Sequence, residues 1–267
     1  MGQPFLQSVS NALSILELFN GRVQELSLTH ISNSLNLGKS TTHRLLSTMM
    51  NKGFIEQNPE NGRYSIGLKV VHVGANKLNN ISIIQECRPI LELVSETTGE
   101  STHLSLYNNG QIIFVDKVVG VNLSIMSSMI GYRLPAYATA SGKIFLAHMS
   151  SDELENFLRT AELRALTPHT LTKRQVLLEE LENVRKNGFS KDNQESDEGL
   201  VCFAAPVFGR QGKLLAAVSV SGALSRMNAQ QERMVESIVH AAHEASGRCG
   251  WDDPKTHHGS IFHEVLK

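Results

Sequence analysis

Apolar positions at the start of the chain recur with helical spacing. Val9, Ala12, Leu13 and Leu16 fall at i, i+3, i+4 and i+7, with Ile15 and Phe19 widening the stripe, so a helix is predicted over Ser8 to Phe19, ended by Asn20-Gly21. Ser27 is placed to cap a second helix carrying Leu28, Ile31 and Leu35, which Asn36-Leu37-Gly38 breaks after about two turns. A third helix, Lys39 to Lys52, puts Leu45, Leu46 and Met49 on one face and Ser40, His43, Arg44 and Ser47 on the other, and Gly53 stops it. Two short strand-like runs, Phe54 to Gln57 and Arg63 to Ile66, flank an Asn61-Gly62 turn and read as a small hairpin. Leu68 to Leu78 is helical in pattern but too polar to form a core alone, as expected of a linker helix.

Beyond residue 80 the pattern changes. An amphipathic helix over Ile81 to Thr98 precedes three predicted strands, Thr102 to Tyr107, Gln111 to Val118 and Val121 to Met126, punctuated by Asn108-Asn109-Gly110 and Val119-Gly120. After a loop through Gly131 to Pro135 come helices at Gly142 to Met149, Ser151 to Arg159 and Lys173 to Asn187. Strands at Leu200 to Phe208 and Lys213 to Ser221 follow, then a long helix from Ala229 to Gly247. Residues 251–267 read as a flexible tail. The resulting division is 1–66, a linker over 67–80, a second domain over 81–250, and the tail, in the α+β class.

Length and composition agree with that division: 267 residues suit roughly two domains, and 41% apolar content suits ordinary globular cores. No apolar run approaches the ~18 residues of a membrane span, and the amino-terminal stretch lacks a basic start and a small-residue cleavage site. Cys87, Cys202 and Cys249 are an odd, widely spaced set without a C-x-x-C, which fits a reducing cytoplasm better than a disulfide framework. The formal net charge of −1 argues by itself against nucleic acid, but it is unevenly spread. Residues 1–80 hold seven Lys/Arg and four Asp/Glu, a net of +3, leaving −4 for the rest.

Three helices with a short break before the third, then a hairpin, make up the parts of a winged helix-turn-helix. The third helix needs a buried stripe to set its depth and short polar or basic residues near its amino end, which alone reaches base edges in a major groove. Lys39, Ser40, Thr41, Thr42, His43 and Arg44 supply hydroxyls and a five-donor guanidinium there, and Arg63 stands beside the hairpin turn, within reach of a DNA backbone. The plainer alternative is a small helical domain whose polar face is only solvated.

The run Leu35-Asn36-Leu37-Gly38-Lys39-Ser40-Thr41-Thr42-His43-Arg44-Leu45-Leu46, followed by Gly53-Phe54-Ile55 and Tyr64-Ser65-Ile66-Gly67, resembles the DNA-binding half of IclR-type bacterial transcriptional regulators. The rear half carries Leu134-Pro135, Ala138 to Lys143 (ATASGK), Asp192, Gly199-Leu200-Val201-Cys202, Ala205-Pro206-Val207-Phe208 and Val218-Ser219-Val220-Ser221 in that family's order and spacing. The resemblance covers about residues 6 to 250. It implies a GAF-like effector domain, an antiparallel sheet flanked by helices, joined to the winged helix by the linker helix. It also implies a homodimer or a dimer of dimers on a palindromic operator in double-stranded DNA, most often as a repressor of a catabolic operon. No cofactor and no membrane partner is expected.

Carried over position by position, the resemblance implies a small carboxylic acid held by the backbone amides of Ala140 and Ser141. Polar contacts would come from Asp192, Cys202, Ser219 and Ser221, and an apolar wall from Leu123, Met126, Leu134 and Leu200. Ala140 stands where relatives often have Gly, a departure at the point of closest backbone approach. The residues themselves agree on one point: Ser219 and Ser221, two apart on a strand, share a face opposite to Val218 and Val220. Each has a plainer reading, Cys202 as a small buried hydrophobe, the serines as satisfied sheet residues and Asp192 as a loop carboxylate.

Other signals carry less. His240 and His243, at i and i+3, read better as a solvated helix face than as a metal pair, since H-x-x-E-H is not matched. Gly142-Lys143 lacks the remaining residues of a phosphate loop, and there is no G-x-S-x-G. Cys202 with His103 or His169 as a nucleophile pair has no orienting third group in the pattern. His257, His258 and His263 fall in the tail. The rival to a ligand-responsive regulator is thus a small-molecule-binding enzyme or sensor without DNA function, in which residues 1–66 serve only association.

Overall fold

The computed structural model describes residues 6–19, 23–79, 81–122 and 128–252, and the chain divides into two units at Ile81/Ser82. The first unit runs α1 (Gln7–Glu17), α2 (Leu28–Ser34), α3 (Lys39–Asn51), β1 (Ile55–Gln57), β2 (Tyr64–Ile66) and α4 (Leu68–Asn79). Ile15, Leu26, Ile31, Leu46, Met49, Ile55 and Tyr64 form its core. Ser27 caps α2, its hydroxyl accepting from the His30 amide at 3.2 Å. Between α2 and α3 the chain reverses through Asn36 at φ +52°, and the Leu37 amide returns to the Ser32 carbonyl at 2.9 Å. Gly53, at φ +75°, ends α3 as its position predicts. The strands pair antiparallel with Ile55 opposite Ile66, and Leu26 bridges Tyr64 as a third rung of the small sheet.

One expectation for α1 changes. Ile15 is its fully buried residue, whereas Val9 and Leu13 are 52% and 57% exposed. The helix is apolar around much more than one face, and the unit's core takes only the Ala12–Ile15–Leu16 side. The predicted Asn20-Gly21 stop lies outside the described residues.

In the second unit, α5 (Ser82–Thr98) precedes β3 (Ser101–Asn108) and β4 (Gln111–Val118). Then come β5 (Arg133–Pro135), α6 (Ala140–Ala147), α7 (Ser151–Thr160), α8 (Arg174–Asn187), β6 (Ser190–Asn193), β7 (Leu200–Phe208), β8 (Leu214–Ala223), α9 (Leu224–Ala229) and α10 (Gln231–Arg248). The six strands form one antiparallel sheet in the order β5-β4-β3-β8-β7-β6. Helices α5 and α10 cover one face, where the Thr102 hydroxyl donates to the Leu91 carbonyl. Helix α6 covers the other, and α8 packs against α6. Among the described residues no helix is long and apolar enough to cross a membrane.

Three details differ from the expected order. Residues 121 and 122 form a bend, not a strand; the rest of the expected Val121 to Met126 strand lies outside the described residues, and β4 pairs with β5. Strand β6 was not anticipated, because Ser-Lys-Asp-Asn carries no apolar alternation to announce it. Trp251, expected in the tail, is docked: its ring lies 5.2 Å from Phe208 and 5.6 Å from His243. An indole buries too much apolar surface to be left in solvent beside two aromatic partners. Residues 253–267 lie outside the described residues.

Candidate functional site

In the first unit, Lys39, Ser40, Thr41, His43 and Arg44 are all exposed along the amino-terminal half of α3, while Thr42, Leu46 and Met49 face inward. Thr42 is therefore not available to a partner, as its inclusion among the helix's hydroxyls had implied; its hydroxyl donates to the Gly38 carbonyl at 3.2 Å. Gly38 is the N-cap and offers no side chain, and no acidic residue stands in the first turn. The amino end of α3 thus presents free amide donors with a lysine beside them, a surface suited to an anion. Arg63 is exposed at the hairpin turn. Its amide donates to Asn61 Oδ1 at 2.9 Å, and its carbonyl accepts from the Asn58 amide at 2.8 Å.

In the second unit a cavity of about 20 Å³ is lined by His103, Ile112, Phe114, Leu134, Thr139, Ala140, Ser141, Asp192, Ser196, Cys202 and Ser219. Six of the expected residues, Leu134, Ala140, Ser141, Asp192, Cys202 and Ser219, meet there. Strand register brings them together: His103 stands opposite Ser219, Cys202 opposite both Asp192 and Ser221. Ser221 shares the face without lining the cavity, its hydroxyl beside the Cys202 thiol on the paired strand. Leu200 is buried in the adjoining core, away from the cavity wall. Leu123 and Met126 lie outside the described residues.

The ATASGK run has a physical account. Thr139 caps α6, its hydroxyl accepting from the Gly142 amide at 3.0 Å. The Ala140 and Ser141 amides, in the first turn beside the cavity, have no acceptor among the described residues. Gly142 is required, because a Cβ there would sit 2.2 Å from the Ala136 carbonyl oxygen. Lys143, itself buried, points away into a cluster of carboxylates, with Nζ 2.7 Å from Glu195, 2.9 Å from Glu180 and 2.5 Å from the Lys191 carbonyl. Those ion pairs outweigh burial and hold its pKa above the ordinary value. The cluster joins α6 to β6 and to the turn after it, the two sides of the cavity; Ser190 adds a 2.6 Å bond to the Ala140 carbonyl.

Among the described residues that line the cavity none is a free cation. Burial lowers the His103 pKa to about 3, so the ring is neutral, with Nε2 2.8 Å from Ser128 Oγ and its face 4.7 Å from the Phe114 ring. Burial raises the Asp192 pKa to about 6, against the opposing bond from Ser196 Oγ at 2.5 Å. Burial, with Asp192 nearby, keeps Cys202 a thiol. A protonated thiol and a neutral imidazole committed to Ser128 are poorly suited to nucleophilic chemistry. His103, Phe114, Ile112, Thr139 and Ser196 were missed as lining residues. His103 had a readable signal, since it alternates with Ser105 on a strand; the others required the register.

Residues 75–247 match the description "Bacterial transcriptional regulator IclR C-terminal", and residues 8–59 match "IclR helix-turn-helix domain". The HTH-type transcriptional regulator XynR of Escherichia coli (strain K12) is 39% identical over 225 residues, 84% of this chain and 89% of that protein. The crystal structure of Thermotoga maritima IclR superposes with a TM-score of 0.74 at 30% identity, over 92% of this chain and all of that one. An IclR homolog from Microbacterium hydrocarbonoxydans, complexed with 4-hydroxybenzoate, shares the fold at TM-score 0.79 and 22% identity, over 91% of this chain and 98% of that one. The helix-turn-helix match sets aside the rival in which the first unit serves only association. A winged first unit with a bare, basic helix start and a second unit gathering amides and hydroxyls round a cavity are the two halves of one known design, and the chain belongs to the IclR family of bacterial transcriptional regulators.

Proposed function

We propose that the protein is a repressor of a catabolic operon, released or tightened by a small carboxylic acid. In this reading residues 1–66 bind duplex DNA, 67–80 link, and 81–250 take the effector. The convergence of Ala140, Ser141, Asp192, Cys202, Ser219 and Leu134 on one cavity carries the effector half of the proposal. Two amides at a helix start and the Ser219 hydroxyl suit a carboxylate. With no free cation among the described lining residues, Asp192, its pKa of about 6 leaving it mostly ionised at pH 7, suits a hydroxyl on the same acid that donates to it. The 4-hydroxybenzoate in the Microbacterium structure is an acid of this general kind.

At about 20 Å³ the cavity has room for one water, far below the several hundred Å³ of small-molecule sites. Acid binding therefore selects an expanded arrangement, and only such a difference in affinity between two states can alter DNA binding. A homodimer, or a dimer of such dimers, on a palindromic operator is supported by the apolar face of α1. Leu6, Val9 and Leu13 are 74%, 52% and 57% exposed and recur at helical spacing, as expected of a helix that pairs with a second copy. On the DNA side, Lys39, Ser40, Thr41, His43 and Arg44 lie along the helix that enters the major groove, and Arg63 meets the backbone beside it. Replacing Arg44 by Ala tests this: selective DNA retention is expected to fall at least tenfold with acid binding unchanged, and unchanged DNA retention would refute it.

A further inference from the structure

The hairpin tip of the first unit is held by a residue from outside the hairpin. Leu26 forms a backbone bridge to Tyr64, with N–O distances of 2.9 and 2.8 Å, so the preceding residue, Glu25, is delivered to the edge of the turn. Its two carboxylate oxygens accept from two different side chains: Oε1 from Asn58 Nδ2 and Oε2 from Asn61 Nδ2, both at 2.9 Å. Those two asparagines also fix the turn's backbone. Asn58 Oδ1 accepts from the Glu60 amide, Asn61 Oδ1 from the Arg63 amide, and the Asn58 amide closes the loop on the Arg63 carbonyl. Both backbone groups of Arg63 are thus tied to residues that Glu25 anchors. The asparagine bonds, then the Arg63 charge, hold the Glu25 carboxyl below its usual range, so it is an anion at neutral pH.

We infer that Glu25 is a positioning residue for DNA binding, fixing the hairpin tip so that Arg63 meets a backbone phosphate. This rests on the reading of Arg63 as a DNA contact. A carboxylate near a polyanion opposes binding by its charge, so its benefit must come through geometry. Glutamine keeps the length and removes the charge but offers one acceptor oxygen, so it can hold only one of the two asparagines, whereas alanine removes both ties.

The test is the salt dependence of binding to a 40-base-pair mixed-sequence duplex, since non-specific binding reads phosphate contacts and needs no operator. Arg63→Ala, which checks the underlying reading, is expected to flatten the slope of log K against log salt by about 0.9 for each hairpin that reaches the duplex. Glu25→Ala is expected to flatten it by a similar amount, and Glu25→Gln, which keeps one of the two ties, by less. Asn61→Ala, which leaves Glu25 in place, is expected to reproduce the Glu25→Ala slope and guards against a folding defect peculiar to the first variant. Two results overturn the inference while Arg63→Ala still behaves as expected: a wild-type slope in Glu25→Ala, or a wild-type slope in Asn61→Ala. A wild-type slope in Arg63→Ala overturns the Arg63 reading itself, and the inference with it.

Discussion

Replacing Lys143 by Met removes the cation that pairs with the carboxylates of Glu195 and Glu180, 6% and 28% exposed. Methionine fills most of the volume, so the change is chiefly electrostatic: Glu195, already lacking a partner for Oε2, is left as a buried charge without a counterion. Breaking a buried pair from one side costs about 3–5 kcal/mol, a large part of the ~5–15 kcal/mol that stabilises a typical domain. With a urea dependence of about 2 kcal/mol per molar, the midpoint should fall by roughly 2 M. The chain has a single tryptophan, and Trp251 is packed on Phe208 and His243 in the second unit, so its emission follows the unit that matters.

The deficit should also depend on pH. Glu195 already has a folded pKa raised above 4.5 by burial, and losing Lys143 raises it further. A raised carboxylate pKa means the folded state holds the proton more tightly. The variant's stability therefore falls as pH rises through that window, and its deficit at pH 8 should exceed that at pH 5. Glu195→Gln in the same background should recover much of the loss at pH 8. A destabilisation below about 1 kcal/mol, or one equal at both pH values, would refute the view that this cluster clamps α6 to β6.

Asp192→Asn should flatten the wild-type loss of stability between about pH 4 and pH 7. The folded pKa of about 6 lies above the 3.8 of the free group, so ionisation on the way up costs on the order of 3 kcal/mol that the amide avoids; parallel pH profiles from urea melts would contradict this. Ser219→Ala should weaken acid-induced change in DNA retention by roughly tenfold, and Ser221→Ala by less, because only Ser219 lines the cavity; an equal loss in both, or none in either, would count against the site. Gly142→Ala drives a Cβ into the Ala136 backbone at 2.2 Å and should cost ~2 kcal/mol or more in the Trp251 melt. Wild-type stability would show that the close approach is not needed.

Local chemistry made much of the fold legible. Ser27 capping α2, Gly53 ending α3 and the Asn61-Gly62 turn each act within a few residues, so sequence spacing reveals them. The β7 and β8 strands were readable because long apolar runs leave little else for those segments to form. What escaped depended on distant partners. β6 becomes a strand only by pairing with β7, β5 only by pairing with β4, and the Trp251 ring packs on Phe208 and His243. The same division holds in the cavity. Ser219 and Asp192 were found from the family pattern, but Phe114, Ile112 and Ser196 join them through register, and the role of Lys143 needed Glu180 and Glu195 from elsewhere in the chain.

The central claim is that α3 reads duplex DNA and that a small acid in the cavity of the second unit alters how well it does so. Genomic fragments retained by the purified protein at low salt, sequenced with and without a panel of keto, sugar and aromatic acids, test both halves together. The account predicts a small set of fragments sharing an inverted repeat with half-sites about 34 Å apart or a multiple of it, retained differently in the presence of at least one acid. Retention without sequence preference, or selective retention indifferent to every acid, would contradict it.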